Sequence, residues 1–170
     1  VARYLAAGEG TVLDVACGGG RHLRLALSLG YRACGIDRDL SGVADLQGRP
    51  DVELIGADLE GGAPFPLGGR RFAAVVVTNY LWRPILADIV AAVAPAGILV
   101  YETFAAGNER FGRPSNPDFL LRPGELIEAT RGRLVPVGYE HTRLGEPDRI
   151  VQRIAAVGPE HPWLREPPLL

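Results

Sequence analysis

Residues 12–22 read VLDVACGGGRH. An apolar run that ends in three glycines and then turns polar describes a buried strand, a bare turn and the start of a helix. Glycines in that place let another group approach the backbone closely. In an open parallel sheet, ligands bind beyond the carboxyl ends of the strands. The segment therefore points to a sheet whose strand ends carry a ligand.

The remaining pattern extends that sheet. Residues 11–15, 32–36, 52–55, 72–78 and 98–103 are short, β-branched apolar runs bounded by glycine or acidic residues. Val75, Val76 and Val77 are consecutive, as expected for a strand buried on both faces. Helical spacing appears between the strands. Leu23, Ala26 and Leu27 precede a stop at Gly30, residues 39–46 predict a short helix, and Ile85, Leu86, Ile89, Val90 and Val93 follow Pro84. Strands alternating with helices define an α/β, doubly wound, mostly parallel sheet. Residues 61–69 are a glycine- and proline-rich loop. Residues 105–122 form a loop longer than the roughly 12–15 residues common in compact domains. Residues 123–130 read as a helix, and residues 134–141 and 149–157 as an antiparallel pair at the sheet edge. One domain thus spans 1–157, with a tail over 158–170 that packs on the surface or frays.

Composition narrows the chemistry. Hydrophobic residues make up 47% and charged residues 22%, the balance of a globular chain, and a net charge of −2 without a basic cluster argues against a nucleic-acid partner. Every basic residue is arginine, so Schiff-base and Walker-lysine chemistry are excluded. No apolar run approaches the roughly 20 residues needed to cross a bilayer, and no signal-peptide pattern is present. Cys17 and Cys34 lack metal-ligand spacing and read as reduced core thiols of a cytoplasmic protein. Methionine is absent, even at position 1, so the chain is expected to lack its native start.

Two nucleotide-type ligands suit the glycines. A dinucleotide requires a third glycine where this chain has Leu23, and that spacing fails. S-adenosylmethionine carries no phosphate and needs a tight turn with a carboxylate for the ribose hydroxyls. Asp37 ends the second strand, 17 residues past Gly20, and Asp58 with Leu59 ends the third, placed for an adenine amino group and ring.

These residues, in this order, resemble class I S-adenosylmethionine-dependent methyltransferases. Asp14-Val-Ala16-Cys-Gly18-Gly-Gly20 is similar to their first motif, with Ala16 in place of its first glycine. Asp37 and Ala57-Asp58-Leu59 are similar to their ribose and adenine motifs. Thr78-Asn79-Tyr80-Leu81-Trp82 follows the fourth strand, and Ala94-Pro95-Ala96-Gly97 resembles the turn before the fifth. Within that class, Cys-Gly-Gly-Gly-Arg-His and Leu-Arg-Pro-Gly-Glu-Leu at 121–126 resemble small bacterial tellurite-resistance-type methyltransferases. No Asn-Pro-Pro-Tyr motif is present. Residues 1–7 are expected to be the remnant of a covering helix.

The resemblance implies a Rossmann-like seven-stranded sheet with an antiparallel C-terminal strand. It implies S-adenosylmethionine as cofactor, held by Asp14, Ala16, Gly18, Gly20, Asp37, Asp58, Leu59 and Thr78. Methyl transfer to a small molecule would then involve Asn79, Tyr80 and Glu102, in a monomer or homodimer. Tyr80 can orient substrate or sulfonium through its ring face, or pack with Trp82 under the long loop. Glu102 reads either as a base or hydrogen-bond acceptor, or as a carboxylate paired with Arg110 or Arg122. The long loop, with Asn108, Arg110, Arg113 and Asn116, reads as a substrate lid. A non-catalytic binding protein or partner subunit is the alternative.

Overall fold

In the computed structural model, which describes residues 1–167, the strands are β1 (Thr11–Val15), β2 (Arg32–Asp37), β3 (Val52–Gly56), β4 (Phe72–Thr78), β5 (Val93–Phe104), β6 (Val135–Leu144) and β7 (Arg149–Val157). The helices are α1 (Arg21–Ser28), α2 (Leu86–Ala91) and α3 (Glu125–Thr130). The sheet order is β3-β2-β1-β4-β5-β7-β6. β1 to β5 run parallel, and β7 is antiparallel to both of its neighbours. The chain leaves the first half-sheet at β3 and returns beside β1 at β4. The carboxyl ends of β1 and β4 therefore flank the point where strand order reverses.

Strand alternation divides the core in two. Leu13, Val15, Val75, Val77, Leu99, Tyr101 and Ile154 pack with α2 and α3 residues on one face. Val12, Ala74, Val76, Ile98, Val100 and Ala155 pack with Ala26 of α1 and with Leu5 on the other. The period of two in each strand produces both sets.

Several expected boundaries shift: β6 runs on to Leu144, and α3 starts at Glu125. Residues 39–46 form 3-10 turns at Ser41–Leu46, with Val43 out of helical geometry. Ser41 and Gly42 are poor helix formers, and Gly42 packs directly on the Gly18–Gly19 backbone, which holds the segment in tight turns. β5 begins at Val93 rather than 98, because Phe72 pairs with Val93 before the register shifts at Ala74. The start of the chain is a turn, closed by the Tyr4 N–H donating to the Val1 carbonyl at 2.9 Å, and not a helix. The tail places Trp163 beside Tyr4, with ring centroids 6.5 Å apart, and residues 168–170 of the expected tail lie outside the described residues.

The long loop is pinned at its C-terminal side. The Arg83 guanidinium donates to both Glu125 carboxylate oxygens, at 2.7 and 3.0 Å, and to the carbonyls of Asp118 and Leu120. Glu125 is buried, and its carboxylate also accepts the Arg122 N–H at 2.7 Å. Burial alone would raise the Glu125 carboxyl. The Arg83 hydrogen bonds and its other partners outweigh burial together and hold the group below its ordinary value. Removing one partner of such a pair strands the other. We expect Arg83→Met to lower unfolding free energy by about 3 kcal/mol in denaturant titration; an unchanged midpoint would refute the latch.

Candidate active site

The site begins at the end of β1. Ala16, Gly18 and Gly20 have φ of 56°, 50° and 70°, so the turn alternates through left-handed backbone before α1. A Cβ at Gly20 would collide with Val43. One at Gly42 would lie 3.1 Å from the Gly18 oxygen, so the 3-10 segment packs directly onto the turn. By contrast, a Cβ at Gly18 or Gly19 meets nothing within 4 Å. Open space beside a bare backbone is room for a ligand.

Asp37, at the end of β2, is fixed from two sides. Its Oδ2 accepts the Gly18 N–H at 2.8 Å and its Oδ1 accepts the Asp39 N–H at 3.0 Å. A carboxylate has about four acceptor positions, so two remain for the hydroxyls of a ribose. Asp58 forms a similar turn, accepting the Glu60 N–H at 3.0 Å. A cleft of about 350 Å³ brings together Ala16, Asp37, Arg38, Ala57, Asp58, Leu59, Glu60 and Tyr80. Leu59 is buried in the adjoining core while lining this cleft. The Tyr80 hydroxyl is buried without a hydrogen-bond partner. Burial first, then the charges of Glu60, Asp58 and Asp37, push its pKa well up, so the phenol stays protonated and able to donate.

A second cleft, of about 340 Å³, lies past the end of β4. It takes Asn79, Glu102 and Phe104 from the strand ends, Arg21 from α1, Phe111 and Arg113 from the long loop, and Asp148 and Arg149 from the β6–β7 hairpin. Asn79 is left-handed, with φ of 55°, and its N–H donates to the Glu102 carbonyl at 2.9 Å. The buried Tyr101 hydroxyl donates to the Tyr80 carbonyl at 2.9 Å. These two bonds from β5 fix the backbone of the two consecutive residues that line the two clefts.

Other expected residues are placed differently. Thr78 accepts from the Arg21 guanidinium at 3.2 Å and faces the α1 side with Glu102, outside the cleft of Asp37. Asp14 is buried and turned toward His22, whose Nδ1 lies 3.8 Å away, and its Oδ2 has no partner. Glu102 pairs with Arg153, not with Arg110 or Arg122, because β7 sets Arg153 directly opposite it. Arg122 instead joins Glu125. Tyr80 lines the cleft of Asp37 while Asn79 lines the second cleft, so the two neighbours serve different spaces. Burial pushes the Cys17 and Cys34 thiols up to about 12, which leaves neither as a thiolate nucleophile at neutral pH. The sequence reading missed Arg21, Arg149 and the hairpin tip. The only signal there was the turn-forming Gly145-Glu146-Pro147 between two strands. Among the described residues no cluster of metal-ligating side chains occurs and no helix is long and apolar enough to cross a membrane.

No protein-family model and no curated protein matches the chain. Solved structures do. An S-adenosylmethionine dependent methyltransferase from Mesorhizobium loti matches with a TM-score of 0.71 at 16% identity, over 92% of this chain and 94% of that one. TehB from Haemophilus influenzae matches with a TM-score of 0.68 at 17% identity, over 89% of this chain and 58% of TehB. The Haloferax volcanii protein solved in complex with the Trm112 methyltransferase activator matches at 0.71 and 16% identity, over 94% and 87%. The chain has the fold of S-adenosylmethionine-dependent methyltransferases.

Two substitutions test the local physics. Ala16 carries a Cβ in left-handed backbone, so Ala16→Gly should raise unfolding free energy by about 1 kcal/mol; a loss of stability would count against this strain. Burial raises the Asp14 carboxyl above its ordinary value, with His22 opposing more weakly. The folded chain therefore binds the Asp14 proton more tightly than the unfolded chain. Stability is greatest below the unfolded pKa and falls as pH rises through the folded one. Asp14→Asn should thus raise Tm at neutral pH, with the gain shrinking as pH falls toward 4. A pH-independent difference would refute this account.

Proposed function

We propose that the chain binds S-adenosylmethionine in the cleft of Asp37 and transfers its methyl group to a small molecule in the cleft of Asn79. The observation that carries this reading is the arrangement of Asn79 and Tyr80. Consecutive residues line two separate clefts, and both backbones are fixed by β5 at the strand-order reversal.

The first cleft fits the cofactor on its own chemistry. Asp37 offers its remaining lone pairs to ribose hydroxyls, Asp58 accepts from an adenine amino group, and Leu59 supplies an apolar wall. The unpartnered Tyr80 hydroxyl supplies a donor, and Gly18 and Gly19 leave room for close approach. A pyrophosphate fits badly. The Gly18 N–H that would meet it already donates to Asp37, and Asp37, Asp58 and Glu60 would repel it.

The bound sulfonium supplies an already activated methyl group. The protein's part is then to place the acceptor in line and exclude water, and such positioning supplies several kcal/mol. Asn79 stands where the two ligands meet and can orient the acceptor through its amide. Glu102, held by Arg153, offers a hydrogen-bond acceptor on the same side. A base is required only for an acceptor that must lose a proton as it attacks. A second reading, a binding subunit that works with a partner, draws support from the Haloferax volcanii protein and its activator. It predicts cofactor binding without turnover by the isolated chain.

Calorimetric titration with S-adenosylhomocysteine, with NAD as control, tests the reading. The chain should bind the former and not the latter, and Asp37→Ala should weaken binding about 100-fold, the loss of two hydrogen bonds to a charged acceptor. Equal affinity in wild type and variant, or preference for NAD, would sink it.

A further inference from the structure

The charges of the second cleft do not balance within it. Its two carboxylates are each engaged by a guanidinium from outside its lining. Glu102 pairs with Arg153, and Asp148 takes Arg143 in a two-point bond at 3.0 and 2.7 Å. The three arginines that do line the cleft, Arg21, Arg113 and Arg149, have no carboxylate partner among the described residues. Arg21 donates only to the Thr78 hydroxyl at 3.2 Å, and Arg149 reaches only the Pro147 carbonyl at 3.5 Å. Arginines such as Arg49, Arg70 and Arg83 sit squarely on carboxylates, whereas others outside the cleft, such as Arg32, Arg71 and Arg133, are unpaired among the described residues. What distinguishes Arg21, Arg113 and Arg149 is that they converge from three separate elements on one concavity.

That concavity also has fixed apolar walls. Phe104 and Phe111 line it half-buried. Phe111 is held under the Arg143 guanidinium, 4.6 Å from its centroid, and Arg143 is itself clamped by Asp148. The loop that carries Arg113 is tied down by buried Asn108. Its amide donates to the Pro114 carbonyl at 3.1 Å and accepts the Ile150 N–H at 3.1 Å, joining loop to hairpin. The backbone segments that carry Arg113 and Arg149 are therefore joined before any ligand arrives, which lowers the cost of bringing the two side chains onto one anion.

We propose that the second cleft takes an organic acid: a planar apolar body packed on Phe104 and Phe111, with a carboxylate or phosphate group held by Arg113 and Arg149. Guanidinium groups match both anions through paired N–H donors. Arg21, beside Thr78, lies at the end of the cleft nearest the strand ends and adds to the same positive lining. As the identity of a methyl acceptor this rests on the function proposed above; as an anion site it stands on the charges alone.

The test is calorimetric titration of the full chain with benzoate, phenyl phosphate and the neutral benzamide, with and without saturating S-adenosylhomocysteine. At least one of the two anions should bind, and benzamide at least 10-fold more weakly. Benzoate and phenyl phosphate read separately tell carboxylate from phosphate. The Arg113→Gln/Arg149→Gln double variant should lose at least 10-fold in anion affinity, while Arg133→Gln, outside the cleft, should not. Both double-variant positions are surface side chains, and retained S-adenosylhomocysteine binding by that variant would show an intact fold. Benzamide binding as tightly as the anions, anion affinity unchanged in the double variant, or no anion binding by a chain that binds S-adenosylhomocysteine would each overturn the proposal. Anion binding by a chain that fails to bind S-adenosylhomocysteine would support the acid site and overturn the cofactor reading instead.

Discussion

One hydrogen bond organises the end of the sheet: the Gly18 N–H donating to the Asp37 carboxylate at 2.8 Å. It joins the turn after β1 to the end of β2, so the two strand ends hold each other in place. It also removes from the turn the amide that would serve a phosphate, and it fixes the carboxylate that would serve a ribose. The left-handed turn and the absence of a Cβ at Gly42 let the 3-10 segment close on this bond from above. In the proposed function, a preference for a phosphate-free nucleoside cofactor over a dinucleotide would follow from where this one N–H points.

The second constraint lies at the reversal of strand order. Asn79 in left-handed backbone turns the chain sharply after β4, and the Glu102 carbonyl and Tyr101 hydroxyl hold the turned segment. Two neighbouring side chains then diverge into two spaces. Tyr101 is buried in the core packed by α2 and α3, so that core bears directly on the geometry of the site. Its hydroxyl makes the same bond that satisfies its own buried polar atom.

Much of this was legible in the sequence, and the parts that were not share a physical cause. The strands of the parallel half carry their own evidence, because burial on both faces demands continuous apolar runs such as Val75-Val76-Val77. The positions of Asp37 at the end of β2 and Asp58 just past β3 were readable because a carboxylate closing an apolar run is a local pattern. The partner of Glu102 was not legible because it comes from strand pairing. Arg153 faces it only through the antiparallel register of β5 and β7, over 50 residues of intervening chain. Residues 39–46 looked helical by apolar spacing, yet packing against the glycine turn holds them as 3-10 turns. Arg149 was invisible for the same reason as Arg153: a hairpin's sequence marks its turn and says nothing about what the tip will touch.

The two clefts differ in sign, and the difference is local. Asp37, Asp58 and Glu60 line the first, while Arg21, Arg113 and Arg149 give the second a positive lining whose carboxylates are already engaged. Exposed charges are screened over about 8 Å at physiological ionic strength, so neither cleft draws its character from the chain's small net charge. Each acts through the groups at its own wall. A positively charged cofactor and an acidic acceptor would each find complementary charge in its own cleft and repulsion in the other. Charge alone would then keep the two ligands from exchanging places, and Asn79 and Tyr80 need only hold the boundary where they meet.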